Sequence, residues 1–254
     1  MVARVRPDRR EPFDSPDDVA VEAALTLVLH GEPLATVMRT PGHDLELAAG
    51  WLLVESGVRA ASDLARLRAS RDEQRVLIEL AAGVSEPRPR AFVTSASCGV
   101  CSADVIALAL AKRWPPTPPP ALSRAVLLAL PDRMRAGQRT FARTGGVHAA
   151  ALARPDGELL VVREDVGRHN AVDKVLGRAL FDGLIPAHQL LLVVSGRVSF
   201  EIVQKAVAGG VAGIVAVSAP TSLAVDLARE HGLVLAAMVR GDRMNLYSGA
   251  SALG

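Results

Sequence analysis

Cys98-Gly99-Val100-Cys101 is the sharpest chemical signal in the chain, and these two are its only cysteines. The thiolate is the reactive form of cysteine, and its pKa falls at a helix N-terminus. Here the pair stands between a strand expected over 92–97 and a buried helix expected over 105–114. Four chemistries use two cysteines at this spacing. A thioredoxin-like dithiol should follow an early strand of a βαβ unit, in an aromatic or proline environment that is missing here. A zinc site would take two ligands from the pair and need closure by His148 or another histidine. An inert buried pair is the third reading. The fourth is a sulfur relay, in which one thiolate holds a sulfane sulfur as a persulfide and its neighbour helps to release or protect it. The zinc nucleobase deaminases give the zinc reading a specific form, His-x-Glu with Pro-Cys-x-x-Cys. This chain has His148-Ala149-Ala150, with Ala where the proton-moving Glu must be, Ser97 before the first cysteine, and the cysteines ahead of the histidine. Those departures argue against deaminase chemistry.

Other polar segments sit where a ligand would be met. Three expected strands end in Ser195-Gly196-Arg197, in Ser218-Ala219-Pro220-Thr221-Ser222 and in Arg240-Gly241-Asp242-Arg243. In open α/β sheets ligands bind beyond the carboxyl ends of the strands. The first two segments lead into helices, whose N-termini favour anions. The third brings two arginines and a glycine, enough to clamp a phosphate or a guanine edge. Ordinary caps and turns would also explain each segment singly. None is a P-loop or a Rossmann fingerprint. Arg163-Glu164-Asp165-Val166-Gly167-Arg168-His169-Asn170, with Asp173 and Lys174, reads either as a solvated helix start or as a site. There Asp165 would cap, and Arg168 and His169 would face a ligand.

The elements that must position these residues follow from periodicity. Two apolar runs over 19–38 flank His30-Gly31-Glu32-Pro33, a hairpin signal. Asp44 is a plausible N-cap for a helix with Leu45, Ala48, Ala49, Leu52 and Leu53, which Gly57 would stop. A short strand is expected over 76–80. Pro115-Pro116-Thr117-Pro118-Pro119-Pro120 is a stiff connector and the best visible boundary. It separates a loose tail (1–18) and an N-terminal portion (19–114) from a C-terminal portion (121–254). In the latter, runs over 147–153 and 158–163 flank Pro155-Asp156-Gly157 as a hairpin, and a helix is expected over 169–182. Strands over 190–195, 213–218 and 233–240 then alternate with helices over 199–208 and 221–231. That pattern predicts a parallel sheet covered on both faces.

Composition excludes several classes. Half of the 254 residues are apolar, and 29 Lys and Arg stand against 27 Asp and Glu, a balance too even for a nucleic-acid-coating protein. Only three of those cations are Lys, so the positive side is arginine, suited to bidentate oxyanion contacts. No uninterrupted apolar run exceeds seven residues, too short to span a bilayer. The charged start lacks the apolar core of a signal peptide, which predicts a cytoplasmic protein.

The chain resembles the FdhD/NarQ family of formate dehydrogenase accessory sulfurtransferases along nearly all of its length after the tail. The resemblance is carried by Gly31-Glu32-Pro33-Leu34, Met38-Arg39-Thr40-Pro41-Gly42, the Cys98-Gly99-Val100-Cys101 centre and Thr144-Gly145-Gly146-Val147-His148-Ala149-Ala150. It continues through Glu164-Asp165-Val166-Gly167-Arg168-His169-Asn170-Ala171, Ser195-Gly196-Arg197 and Val217-Ser218-Ala219-Pro220-Thr221-Ser222. It implies a cytidine-deaminase-like α/β three-layer sandwich with a smaller N-terminal α+β portion, and a homodimer. It implies that sulfur arrives as a persulfide from a cysteine desulfurase and passes to a molybdenum or tungsten bis(molybdopterin guanine dinucleotide) cofactor destined for formate dehydrogenase. That cofactor would be a bound substrate, with no permanently held metal. By position Cys98 would carry the persulfide with Cys101 as partner. Met238, Val239, Arg240, Gly241, Asp242 and Arg243 would contact the cofactor's guanine nucleotide end. Ser102 stands where the family often has Gly. Two other functions compete with the sulfur carrier: a cofactor-binding chaperone whose cysteines only shape a loop, and a structural zinc protein.

Overall fold

Apolar runs without polar alternation must be covered on both faces, and the strands of the second half are. In the computed structural model, which describes residues 2–4, 13–72, 74–87, 114–115 and 117–254, they form a six-stranded sheet. The expected strand at 92–97, the helix at 105–114 except its last residue, Ser102 and both cysteines lie outside the described residues.

Strands β1 (Val2–Arg4) and β2 (Phe13–Ser15) pair antiparallel at the start. Then β3 (Ala23–Leu29) and β4 (Glu32–Arg39) form the expected hairpin. Its turn residues His30 and Gly31 have φ of 50° and 92°, the two positive values that a tight hairpin turn uses. With β5 (Leu64–Ala69) and β6 (Arg75–Leu80) they make a four-stranded sheet in the order β4-β3-β6-β5. Between β4 and β5 runs α1 (Asp44–Glu55).

The six-stranded sheet has the order β12-β11-β10-β9-β7-β8. Its strands are β7 (His148–Ala153), β8 (Leu159–Asp165), β9 (Leu191–Val194), β10 (Gly213–Ala216), β11 (Val234–Arg240) and β12 (Arg243–Ser248). The parallel part is β9, β10 and β11; β7 joins it antiparallel at β9 and β12 at β11, and β8 pairs antiparallel with β7. The three strands expected to lie parallel do so, and the sheet as a whole is mixed. The reason is local: β7–β8 and β11–β12 are hairpins, and a short turn can connect only antiparallel neighbours.

Side chains alternate through this sheet. Ala149, Ala151, Leu191, Val193, Val215, Val234 and Ala236 meet Leu127, Leu130 and Met134 of α2 (Arg124–Ala136) on one face. Ala150, Leu152, Leu192, Val194, Ile214, Leu235 and Ala237 meet the helices α4 (Arg168–Phe181), α5 (Phe200–Gly209) and α6 (Ser222–Glu230) on the other. A short α3 (Arg139–Thr144) leads from α2 into β7. This is a three-layer α/β sandwich with a smaller N-terminal α+β portion, as expected.

Helix α1 joins the two sheets. It is buried from Glu46 through Val54, all round its circumference, because it is wedged between the small sheet and α4. The apolar core accordingly runs without a break from Leu25 and Ile78 of the small sheet to Ala216 and Leu235 of the large one. The wedge needs two bare glycines. A Cβ on Gly50 would lie 1.9 Å from the Asp173 carbonyl oxygen, and one on Gly177 would lie 1.8 Å from that of Glu46. Helix α1 starts one residue earlier than expected: His43, at φ 58°, is the N-cap, and Asp44 is the first helical residue. Asp44 is instead engaged by Arg39, at 3.0 Å from Nε and 2.8 Å from Nη2.

Gly177→Ala must push the two helices apart, and we expect a loss of about 1–3 kcal/mol or more. Urea unfolding of the variant checks this; an unchanged midpoint would mean that α1 and α4 are not in backbone contact.

Candidate functional site

The mixed-charge run 163–174 divides into residues that hold the molecule together and residues that face out. Asp165, fully buried at the end of β8, is the hub. Its carboxylate accepts from the backbone N–H groups of Thr40 (3.1 Å) and Gly167 (2.8 Å), from Asn170 Nδ2 (3.0 Å) and from Lys174 Nζ (2.7 Å). Lys174, 1% exposed, also donates to the Thr40 carbonyl at 2.8 Å. Asn170 Nδ2 donates to the Met38 carbonyl at 2.7 Å, and Val166 N–H to Thr40 Oγ1 at 3.0 Å. The segment from Met38 to Thr40 is thus docked on the first turns of α4 by a charge pair whose remaining donors and acceptors are satisfied. That is the condition under which a buried pair is tolerated.

Neighbouring charges do similar work. Arg163 grips Glu46 of α1 at 2.5 and 2.7 Å, and Glu164 accepts from the N–H groups of Thr140 and Phe141 at the start of α3. Asp173 meets Lys205 of α5 at 2.6 Å; burial pushes its carboxyl up, against the pull of that ammonium. Asp165 does not cap α4 as expected from the sequence. Gly167 occupies the N-cap, and Asp165 is two residues farther back, bonded to its N–H.

Over this framework lie Arg168 and His169, the first two residues of α4, with His148 at the start of β7 and Ser195-Gly196-Arg197 just after β9. They meet because β7 runs antiparallel to β9, which puts the first residue of one beside the end of the other. Ser195 Oγ accepts from Ala149 N–H at 2.9 Å, tying the two. Gly196 leaves the crowding possible: a Cβ there would lie 3.3 Å from Cβ and Cδ of Arg168 and 3.4 Å from His148 Nδ1. His169 Nε2 is 2.8 Å from Glu201 and 3.4 Å from Ser199 Oγ, both at the start of α5. Its hydrogen bond holds the Glu201 carboxyl below the usual range, despite burial.

The cations press on one another. Burial first, then Arg197, lowers the Arg168 guanidinium, with Glu201 opposing. Burial, then Arg168, His169 and Arg197, lowers the His148 imidazole, with Asp165 opposing weakly. Such surroundings make His148 a poor partner for a metal cation, and no group of three His, Asp or Glu among the described residues is placed to hold one.

The first two strand-end segments are laced together at this edge, and Met238, two residues ahead of the third, joins them. Val198 N–H donates to Ala219 O (3.1 Å), Thr221 N–H to Val198 O (3.0 Å) and Met238 N–H to Ser218 O (3.2 Å). Of the residues expected to meet a cofactor, Met238 is half-buried at φ 56° and Val239 is buried in the core on the α2 side. Arg240 and Arg243 are exposed and face each other across a hairpin whose two turn residues are Gly241, at φ 57°, and Asp242. Cys98 and Cys101 lie outside the described residues. His148, Arg168, His169 and Ser195 to Arg197 stand out in the sequence as separate segments, and Glu201 does not. Its position two residues after the Ser199 cap, in the first turn of a helix at a strand end, was the available signal.

Two outcomes follow. Asp165→Ala leaves Lys174 buried without its counter-charge and should cost about 3–5 kcal/mol, measurable by urea unfolding. The His148 imidazole should titrate by NMR below its ordinary 6.5 and move upward in Arg168→Gln. Because its folded pKa lies below the unfolded one, its contribution to stability is present above that ordinary value and is lost as pH falls towards the folded value.

The comparisons with known proteins agree in family and in fold. A family model described as the FdhD/NarQ family matches residues 20–253. A protein of Streptomyces coelicolor named sulfur carrier protein FdhD is 49% identical over 249 residues, which cover 92% of this chain and 88% of that protein. Proteins of the same name from Mycobacterium tuberculosis and Sulfolobus acidocaldarius are 46% and 40% identical, each covering 92% of this chain, with 91% and 90% of their own lengths. Among solved structures, a Desulfotalea psychrophila protein described as a formate dehydrogenase accessory protein superposes with a TM-score of 0.81. It is 24% identical, with 100% of this chain and 97% of that one covered, and so speaks to the fold alone.

Proposed function

The chain belongs to the FdhD/NarQ family, and from that premise we propose that it is a sulfurtransferase, a persulfide carrier serving formate dehydrogenase. The observation that carries this reading is that its only two cysteines form a Cys-x-x-Cys pair in a chain about half identical to proteins named sulfur carriers. Its place is the cytoplasm, where such thiols stay reduced between turnovers.

The chemistry follows from the two thiols. The Cys98 thiolate attacks the terminal sulfur of a persulfide on a cysteine desulfurase. The new S–S bond forms on Cys98 as the old one breaks, and the desulfurase cysteine leaves as its thiolate. The sulfane sulfur is then released when the Cys101 thiolate attacks the inner sulfur of Cys98. Two electrons pass from the thiols to the departing atom, which leaves at the sulfide level, and a Cys98–Cys101 disulfide remains. A cellular thiol reductant restores the pair. The acceptor is the molybdenum or tungsten bis(molybdopterin guanine dinucleotide) cofactor, a substrate in transit to formate dehydrogenase, and the transfer as proposed calls for no resident metal.

This chain's own residues would seat that substrate at the strand ends. The segment Met238, Val239, Arg240, Gly241, Asp242 and Arg243 would meet the guanine nucleotide, with the two exposed arginines of the hairpin as donors and the buried Val239 anchoring the strand. The two nucleotide ends of one bis-cofactor suit a homodimer, each copy taking one end.

Intact-protein mass spectrometry after incubation with a cysteine desulfurase and cysteine tests the carrier. A gain of about 32 Da per sulfur, reversed by dithiothreitol, is expected in wild type and absent in Cys98→Ala. Loss in Cys101→Ala alone would reassign the carrier to that cysteine. No gain in wild type, with the desulfurase active, would replace the carrier by a chaperone that only binds and delivers the cofactor.

A further inference from the structure

The outer face of α2 and α3 carries charge that the protein itself leaves largely unanswered. Residues 121–146 hold five arginines, Arg124, Arg133, Arg135, Arg139 and Arg143, against the single acid Asp132, in a chain whose net charge is +2. All five are exposed, while the opposite side of α2, with Leu127, Leu130 and Met134, packs on the large sheet. Elsewhere arginines have carboxylate partners: Arg39 with Asp44, Arg66 with Glu79, Arg154 with Glu158, Arg163 with Glu46 and Arg178 with Asp182. On this face, among the described residues, Arg143 alone is paired, with Asp18 at 3.0 Å. The backbone dipole accounts for Arg133 and Arg135 in the last turn of α2. It opposes Arg124 and Arg139, the first residues of α2 and α3, whose first turns contain no acidic residue.

Two of these groups are fixed without being neutralised. Arg133 Nη1 donates to the Gly157 carbonyl at 2.7 Å, and the Arg135 guanidinium lies 3.9 Å from the centre of the Phe141 ring. The carboxylates of the neighbouring β7–β8 turn are engaged, Glu158 by Arg154 at 2.8 Å and Asp156 by the Glu158 N–H at 3.0 Å. A guanidinium held by a carbonyl or a ring keeps its charge, and it has little freedom left to lose on meeting a carboxylate.

We propose that this arginine face docks an acidic surface of the protein that donates the persulfide. The assignment rests on the function proposed above and adds where the donor meets the chain. A carrier must meet its donor and part from it at every turnover, which suits charge steering at an exposed face better than a large apolar contact. Arginine forks match carboxylates in a way that lysine does not. A second copy of this chain placed here by a two-fold axis would set arginine against arginine, so the face fits an unlike partner. The near-balance of charge over the whole chain favours a protein over a nucleic acid.

The rate of persulfide loading of the full chain by a limiting amount of active cysteine desulfurase, read by intact-protein mass spectrometry, tests the face. Arg124 and Arg139 are exposed, so Arg124→Glu/Arg139→Glu should melt like wild type. Its loading rate should fall about tenfold or more at low ionic strength, with the same final extent. The milder Arg124→Gln/Arg139→Gln should show a smaller loss in the same direction. Added salt should slow wild type and change the reversed variant little. Arg66→Glu/Arg68→Glu on β5 changes the charge equally on the small sheet and should load like wild type. An unchanged rate in natively melting Arg124→Glu/Arg139→Glu, or an equal loss in the β5 variant, would overturn the face. Arg139-dependent binding of a duplex DNA oligonucleotide, with loading unaffected, would give the face to a nucleic acid and overturn the protein partner. If wild type gains no sulfur, the carrier reading fails by itself, and calorimetric titration with the desulfurase scores the face. Affinity lost in the reversed variant then keeps it; no binding, or equal binding, removes it.

Discussion

The buried contact between Asp165 and Lys174 is what the rest of the structure is arranged around. Both groups are buried away from solvent, so each draws its partners from the protein. Asp165 finds them in Thr40, Gly167, Asn170 and Lys174, residues from two parts of the chain more than a hundred positions apart. The end of β4 is therefore bound to the start of α4, and the small sheet cannot settle independently of the large one. Arg163–Glu46 repeats the device at α1, and Lys205–Asp173 ties α5 to α4 beside it. Polar links of this kind add direction to a core that burial of Leu and Ala alone would leave free to slide.

The same contact decides what faces outward. Once Asp165, Asn170 and Lys174 are turned inward, the remaining polar residues of the α4 first turn, Arg168 and His169, are left at the carboxyl edge of the sheet. Antiparallel pairing of β7 with β9 then brings His148 and Arg197 beside them. Positive charge gathers where the strand-end loops are laced together. Glu201 neutralises only part of it, through His169. The site is a consequence of how the interior charges were satisfied.

Close packing of backbone completes the scaffold. Gly50 and Gly177 let α1 and α4 touch through their peptide groups, which helps to bring Glu46 within reach of Arg163. In a helix interior each glycine costs stability of order 1 kcal/mol relative to alanine. Here the cost is offset by a contact that no larger residue permits.

The sequence by itself determined the β3–β4 and β7–β8 hairpins, α4, and the alternation of strands and helices after Leu190, because period and turn chemistry are local properties. It also determined which segments hold the polar residues at the strand ends. Helix α2 was not legible, since Pro131 within it reads as a breaker. Strands β5 and β12 were missed as well; β5 alternates charges on an exposed edge, and β12 is largely polar. Only the tertiary structure decided which charges of the run from Arg163 to Lys174 are structural and which are presented. All of them are equally polar on paper, and the sorting depends on partners such as Thr40, Glu46 and Lys205 that periodicity cannot link across the chain. The antiparallel placement of β7, which sets His148 beside Arg168 and Arg197, is likewise a matter of topology, because a strand's own residues do not specify its neighbours.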